Sequence, residues 1–192
     1  MKTFNESISP ISKNLNSMAT TSEDTGMSQP VRPKKLPNSV IQILTDRIVD
    51  EYNAYFLYRN AANWCKDANY KKATAFFEKE AEGELSHATG LQNYLVQWNI
   101  VPTINAPETV VSFVDLVDVI NKAYTIEYEL LEKYSDCLNQ VLQTHPATFN
   151  FLQKYVDIQN GEVEEYSDLL NALELINHNN KFEILYFENN YF

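Results

Sequence analysis

The stretch Phe76-Phe77-Glu78-Lys79-Glu80-Ala81-Glu82-Gly83-Glu84-Leu85-Ser86-His87-Ala88-Thr89-Gly90-Leu91 reads as the middle of an amphipathic helix. Phe77, Ala81, Ala88, Leu91 and Leu95 fall at helical three-four spacing and draw one apolar stripe. The stripe position between Ala81 and Ala88 is Glu84, and one turn on, along the same side, stands His87. A Glu and a His at i, i+3 aim their heads at one point. A carboxylate buried without a partner is strongly disfavoured. Glu-x-x-His is also the pattern of an ordinary solvated pair, so the rest of the chain has to decide between a surface pair and a buried cation site.

The same interruption recurs on both sides of this helix. Upstream, Asn38-Ser39 after a proline predicts a capped helix start. Ile41, Leu44, Ile48, Tyr55, Tyr58 and Ala62 then form a stripe whose missing member is Glu51. Asp67-Ala68-Asn69 reads as a short turn, which makes the second helix, about Tyr70 to Trp98, the antiparallel neighbour of the first. The aperiodic Asn99 to Pro107 reads as a longer connection that lets the third helix lie parallel to the second.

The third helix is expected to open near Glu108, with Phe113, Val117, Ile120, Tyr124, Leu131, Tyr134 and Leu138 as its stripe and Glu127 as the interruption. Glu129 and Glu132 fall off that stripe and read as solvated. Thr144-His145-Pro146 ends the helix, with His145 as a structural turn residue. A fourth helix is expected from Ala147 to around Asn177–Asn180, with Leu152, Val156, Val163, Tyr166, Leu170 and Leu173 facing inward. Its interruption is Gln159, with Glu162 one turn on. His178 stands among asparagines with no partner in view, and Lys181–Phe192 reads as a tail or a short fifth helix.

Composition agrees with an all-α domain. The chain has 192 residues, 44% of them hydrophobic, which suffices for one real core. Four glycines and seven prolines suit long helices better than a turn-rich β fold. No apolar run approaches a membrane span, and the N-terminus lacks the basic-then-apolar order of a secretory signal. Cys65 and Cys137 are not in a CxxC and read as reduced thiols, so the expected compartment is the cytoplasm. A net charge of −11 argues against nucleic acid as a partner. Residues 1–37, rich in Ser, Thr, Asn and Pro, read as a flexible arm. The arm ends in a small basic cluster, Val31 to Pro37, which reads as solvated.

Glu51, Glu84, Glu127 and Gln159 each sit about halfway along a predicted helix, so an antiparallel bundle brings them into one layer, with His87 and Glu162 beside them. The four glutamates bring four negative charges, and no Lys or Arg falls in the seams near them. Two divalent cations would balance the layer. Mostly carboxylate ligands with one imidazole suit iron or manganese, and zinc also fits. The alternative is a metal-free polar layer that fixes helix register, which requires at least one protonated Glu.

With these residues in place, the chain resembles the ferritins, in particular the non-haem bacterial type, over about residues 38–177. Glu51 followed seven residues later by Tyr58 is similar to that family's first-helix ligand and its tyrosine. Glu84-x-x-His87 matches the family's Glu-x-x-His, and Glu127 its third-helix ligand. Thr148-Phe149-Asn150-Phe151-Leu152-Gln153, then Tyr155-Val156 and Gln159, resembles the start of the fourth helix through its Gln ligand, and Leu185-Tyr186-Phe187 the opening of the family's short helix E.

The resemblance implies an antiparallel four-helix bundle over 38–177 with one long crossover, a tail or helix E over 178–192, and a hollow cage of about 24 identical subunits. It implies a ferroxidase that binds two Fe(II) per subunit, oxidises them with O2 or hydrogen peroxide and stores the product as iron oxide. Glu51, Glu84 and His87 would hold one iron. Glu84, Glu127 and, more loosely, Gln159 would hold the second, with Glu162 beside them and Tyr58 behind the ligands.

Positions matching a third iron site in bacterial ferritins read Gly83, Ile158 and Gly161, so no third site is expected. Gly83, Ser86 and Thr89 take the place of acids thought to nucleate mineral in some ferritins, which implies slower mineral growth. Leu85 stands where haem-binding bacterioferritins place Met, so no haem is expected. Two other functions compete. A rubrerythrin-like or other di-iron oxidase or peroxidase usually carries a second Glu-x-x-His on the fourth helix, where this chain has Glu162 followed by Glu165. A metal-free helical interaction module would bind no iron at all.

Overall fold

Asparagine sets two of the chain's corners. In a computed structural model that describes residues 36–104 and 111–192, Asn69 and Asn99 adopt left-handed backbone, with φ of 64° and 58°. Asparagine tolerates this region better than other side-chain-bearing residues. At the first corner the Tyr70 N–H reaches back to the Cys65 carbonyl (2.9 Å), and at the second the Ile100 N–H reaches the Leu95 carbonyl (3.0 Å). These turns close α1 (Asn38–Asp67) and α2 (Lys71–Gln97). The described residues form three more helices, α3 (Leu116–Val141), α4 (Pro146–Leu173) and α5 (Lys181–Tyr191), and no strand. α1 packs mainly on α2 and α3 mainly on α4, and α1 joins the two pairs through α3. The result is the expected antiparallel four-helix bundle with a long crossover and a short fifth helix.

Helix starts differ in how they are capped. The expected Asn38-Ser39 cap does not form, because the Pro37 carbonyl already accepts the Val40 and Ile41 N–H groups at 3.0 Å each, and α1 begins with Asn38 inside it. α4 starts on a sharper signal: His145 Nδ1 accepts the Thr148 N–H (3.2 Å) and Pro146 occupies the first turn, where a missing N–H costs nothing. His145 is therefore a cap, with its ring against Trp98. α4 ends at Leu173, short of the expected Asn177–Asn180, because His178 Nε2 donates to the Leu173 carbonyl (2.7 Å) and terminates it. His178 thus has a partner that its neighbours in sequence did not reveal.

The third helix departs most from expectation. Glu108 lies outside the described residues, and residues 111–115 are non-helical, so the helix starts at Leu116 with Asp115 capping the Asp118 N–H (2.8 Å). Its buried line runs through Ala123, Leu130 and Cys137, one residue before the expected Tyr124, Leu131 and Leu138, which are only partly buried. On α2 every member of the expected stripe is buried.

The expected arm over 1–37 falls almost wholly outside the described residues, though Leu36 is buried in the core. α5 closes one end of the bundle. It buries Ile184 and Phe187, and the Phe192 ring packs against Phe76 and Phe77 at 5.2 and 5.8 Å. Among the described residues no helix is long and apolar enough to cross a membrane.

Candidate metal centre

Four helices deliver the polar layer. Glu51 comes from α1, Glu84 and His87 from α2, Glu127 from α3, and Gln159 and Glu162 from α4. Glu51, Glu84, Glu127 and Gln159 are fully buried, while His87 and Glu162 are partly exposed at one edge. Their atoms gather into two overlapping groups, Glu51–Glu84–His87 and Glu84–Glu127–Glu162, with the ligand atoms of each within 4.8 Å of one another. Glu84 belongs to both. His87 Nδ1 lies 3.3 Å from Glu84 Oε2 and 3.5 Å from Glu51 Oε2.

Hydrogen bonds engage one oxygen each of Glu51, Glu127 and Glu162 and leave other oxygens of the layer without a donor. The Tyr58 hydroxyl donates to Glu127 Oε1, the Tyr134 hydroxyl to Glu51 Oε1, and the Gln159 amide to Glu162 Oε2. Among the described residues nothing hydrogen-bonds to Glu51 Oε2, Glu127 Oε2 or Gln159 Oε1, all of them buried. Buried oxygens are rarely left so, and three in one layer, each attached to a partnered group, point to a cation as the missing partner.

The electrostatics agree. Burial, then the charges of Glu127 and Glu51, holds the Glu84 carboxyl well above the usual carboxylate range. Burial pushes Glu127 up to about 7, with Glu51 adding to it and the Tyr58 hydrogen bond opposing. Burial and the Glu127 charge push Glu162 up to about 8, against His87. For His87, burial pulls the imidazolium down, but the neighbouring Glu51 carboxylate, with Glu162 and Glu80, outweighs it and raises it. The layer thus resists carrying its full negative charge until something positive enters. Mostly oxygen donors with one imidazole fit iron or manganese.

The six candidate ligands, Glu51, Glu84, His87, Glu127, Gln159 and Glu162, lie in this layer, and Tyr58 lies directly against it. The sequence reading missed Tyr134, taken for an ordinary apolar member of its stripe. It also missed Tyr166, whose buried hydroxyl has no hydrogen-bond partner and whose ring stacks on Tyr58 at 6.0 Å. Glu80 was missed too, buried on α2 one turn before Glu84 with Lys79 at 3.2 Å. Glu80 stands four residues before Glu84, on the same side of the helix, and that spacing is the signal that could have found it.

A family model described as the ferritin-like domain matches residues 41–176. The chain is 31% identical over 146 residues to the bacterial non-heme ferritin of Campylobacter jejuni, a match covering 73% of this chain and 86% of that protein. It is 28% identical over 143 residues to the bacterial non-heme ferritin of Shigella flexneri, with the same coverage of each. Among solved structures, an open pore ferritin from the archaeon Archaeoglobus fulgidus aligns with a TM-score of 0.76 at 20% identity, over 81% of this chain and 96% of that one. Chlorobium tepidum ferritin aligns at 0.70 and 22% identity, over 73% and 88%.

Proposed function

The chain belongs to the ferritin family, and from that premise we propose that it is a ferroxidase that stores iron inside a cage built from its own copies. The observation that carries this reading is the pair of three-residue groups sharing Glu84, with buried, unpartnered oxygens on Glu51, Glu127 and Gln159 in the same layer. Glu51, Glu84 and His87 bind one Fe(II), and Glu84, Glu127, Glu162 and Gln159 bind the second. Each Fe(II) gives up one electron, and O2 takes both with two protons to leave hydrogen peroxide, or hydrogen peroxide itself serves as oxidant. Tyr58 holds Glu127 in place.

Two further features support the reading. Glu165, where a second Glu-x-x-His would need its histidine, is exposed, which disfavours the di-iron oxidase or peroxidase alternative. α5 exposes Phe182, Leu185 and Tyr186 on one face at i, i+3, i+4 spacing, a stripe suited to being covered by another subunit. About 24 copies is the assembly expected of the family. Gly83 and Gly161 keep acids away from the edge beside Glu84 and Glu162, so two irons per subunit and slow mineral growth belong to the proposal, as does the absence of haem at Leu85. The two cysteines are buried free thiols, in keeping with a cytoplasmic protein.

Stopped-flow oxidation of Fe(II) tests the site: the wild type is expected to show a fast phase that is lost in both Glu84→Ala and His87→Ala. An unchanged rate in either variant refutes it. Electron microscopy of the purified particle tests the assembly, with a closed shell expected and a monomer or dimer contradicting it.

A further inference from the structure

The layer contains a repeat that the family resemblance did not predict. Tyr58 follows Glu51 by seven residues on α1, and Tyr134 follows Glu127 by seven on α3. Seven residues is two helical turns, so each tyrosine lies on the same face as its own helix's glutamate. Across the bundle the pairing is exchanged: Tyr58 donates to Glu127 and Tyr134 donates to Glu51. Each glutamate therefore has Oε1 held by a phenol of the other helix and Oε2 buried and unpartnered. The two ends of the layer are alike in packing as well. Tyr58 stacks on Tyr166 at 6.0 Å and 8°, and Tyr134 stacks on Tyr155 at 5.2 Å and 10°. Tyr155 donates to the His87 carbonyl (3.3 Å), and Gly90 makes room for it, since a Cβ there would lie 2.5 Å from the Tyr155 hydroxyl oxygen.

We propose that Tyr134 is a positioning residue that holds Glu51 in one-oxygen coordination at the metal position shared with Glu84 and His87. The inference rests on the ferroxidase reading. The ring alone would serve for stacking on Tyr155, and a buried hydroxyl is disfavoured unless bonded. The hydroxyl is thus the informative part, and what it bonds is a single oxygen of a carboxylate. A carboxylate can hold a cation through one oxygen or both. A charge-assisted O–H···O⁻ bond to Oε1 occupies one of its lone pairs and draws electron density from it, so the two-oxygen mode is disfavoured and the unpartnered Oε2 is the oxygen left for a cation. Tyr58 does the same for Glu127 at the other position, so the two positions are constrained alike but independently.

Anaerobic Co(II) titration of wild-type, Tyr134→Phe and Tyr58→Phe protein separates the positions. Visible absorption counts bound ions, and the hyperfine-shifted exchangeable proton of the His87 ring reports the imidazole-bearing position. The wild type is expected to take two Co(II) per chain. In Tyr134→Phe the His87 signal should require about 10- to 100-fold more Co(II), the usual effect of removing a group that supports a ligand, with the carboxylate position little changed. Tyr58→Phe should do the reverse. Unchanged affinities in Tyr134→Phe, or equal weakening at both positions, overturn the proposal while leaving the ferroxidase reading in place. Loss of the helical circular-dichroism signal in Tyr134→Phe overturns it in favour of a purely structural role. A wild-type chain that binds no Co(II) overturns both readings.

Discussion

Glu84 and Glu188 are both buried glutamates, and they meet burial in opposite ways. Glu188 on α5 accepts the Lys72 and Ala73 N–H groups at 2.5 and 3.2 Å. It thereby caps α2, whose own flanking residue Tyr70 offers no side-chain cap. Around it the bundle end is filled by Phe76, Phe77, Phe187 and Phe192. Glu84 is covered just as fully but faces Glu51, Glu127 and Glu162, with one imidazole near it. A buried carboxylate opposite orphan helix N–H groups finishes a fold. One opposite other carboxylates leaves a fold incomplete until a cation arrives. The same side chain in the same bundle is structural at one end and chemical in the middle.

The sharpest contrast between the two regions is in stability. Phe77→Ala at the aromatic end is expected to cost about 3–5 kcal/mol in denaturant unfolding, as for other large buried rings. Glu84→Gln puts a permanently neutral group where burial and the neighbouring carboxylates already disfavour the charged form, so the metal-free variant should be at least as stable as wild type. A large loss of stability in Glu84→Gln would erase the distinction. The order reverses for chemistry: Glu84→Ala should slow Fe(II) oxidation on the order of 100-fold or more, roughly 2.7 kcal/mol, in stopped flow, while Glu188→Ala leaves the rate per folded chain near wild type.

Acidity separates the regions a third way. Glu127 and Glu162 ordinarily titrate at 4.5 but reach about 7 and about 8 in the fold. The fold therefore favours their protonated forms. Their stabilising contribution is complete below 4.5 and is lost as pH rises through 7 to 8, and the raised His87 acts in the same direction. Urea melts of metal-free protein should show this part of the stability falling between about pH 5 and pH 8, and a bound divalent ion should remove the decline. The smallest effect belongs to the cap: Glu188→Ala is expected to cost about 1–2 kcal/mol with no dependence on added metal, measured by thermal unfolding.

What the sequence revealed follows from which signals are local. The α2 seam could be read residue by residue because apolar and charged faces alternate cleanly from Phe77 to Leu95, and a lone Glu84 stands out against them. The α3 seam was displaced because Tyr124, Leu131 and Leu138 flank the buried line with equally apolar side chains, so periodicity alone could not choose between adjacent faces. Tyr134 was legible as buried but not as a hydrogen-bond donor, since its partner Glu51 is 83 residues away. Glu188 is a similar case. The only hint was negative, a helix beginning at Lys71 with no capping residue of its own, and the group that supplies the cap comes from the far end of the chain. Helix ends set by backbone carbonyls, as at Pro37, leave no side-chain signature.

Crystals of the protein soaked anaerobically in Fe(II), with anomalous scattering recorded at the iron edge, would reveal whether the polar layer is a two-iron site. Two iron peaks per chain are expected, about 3.5–4 Å apart, with the Glu84 carboxylate reaching both and His87 reaching one. Ordered iron bound away from Glu84, or a layer that takes up no metal while Glu51 and Glu127 keep their unpartnered oxygens, would contradict it.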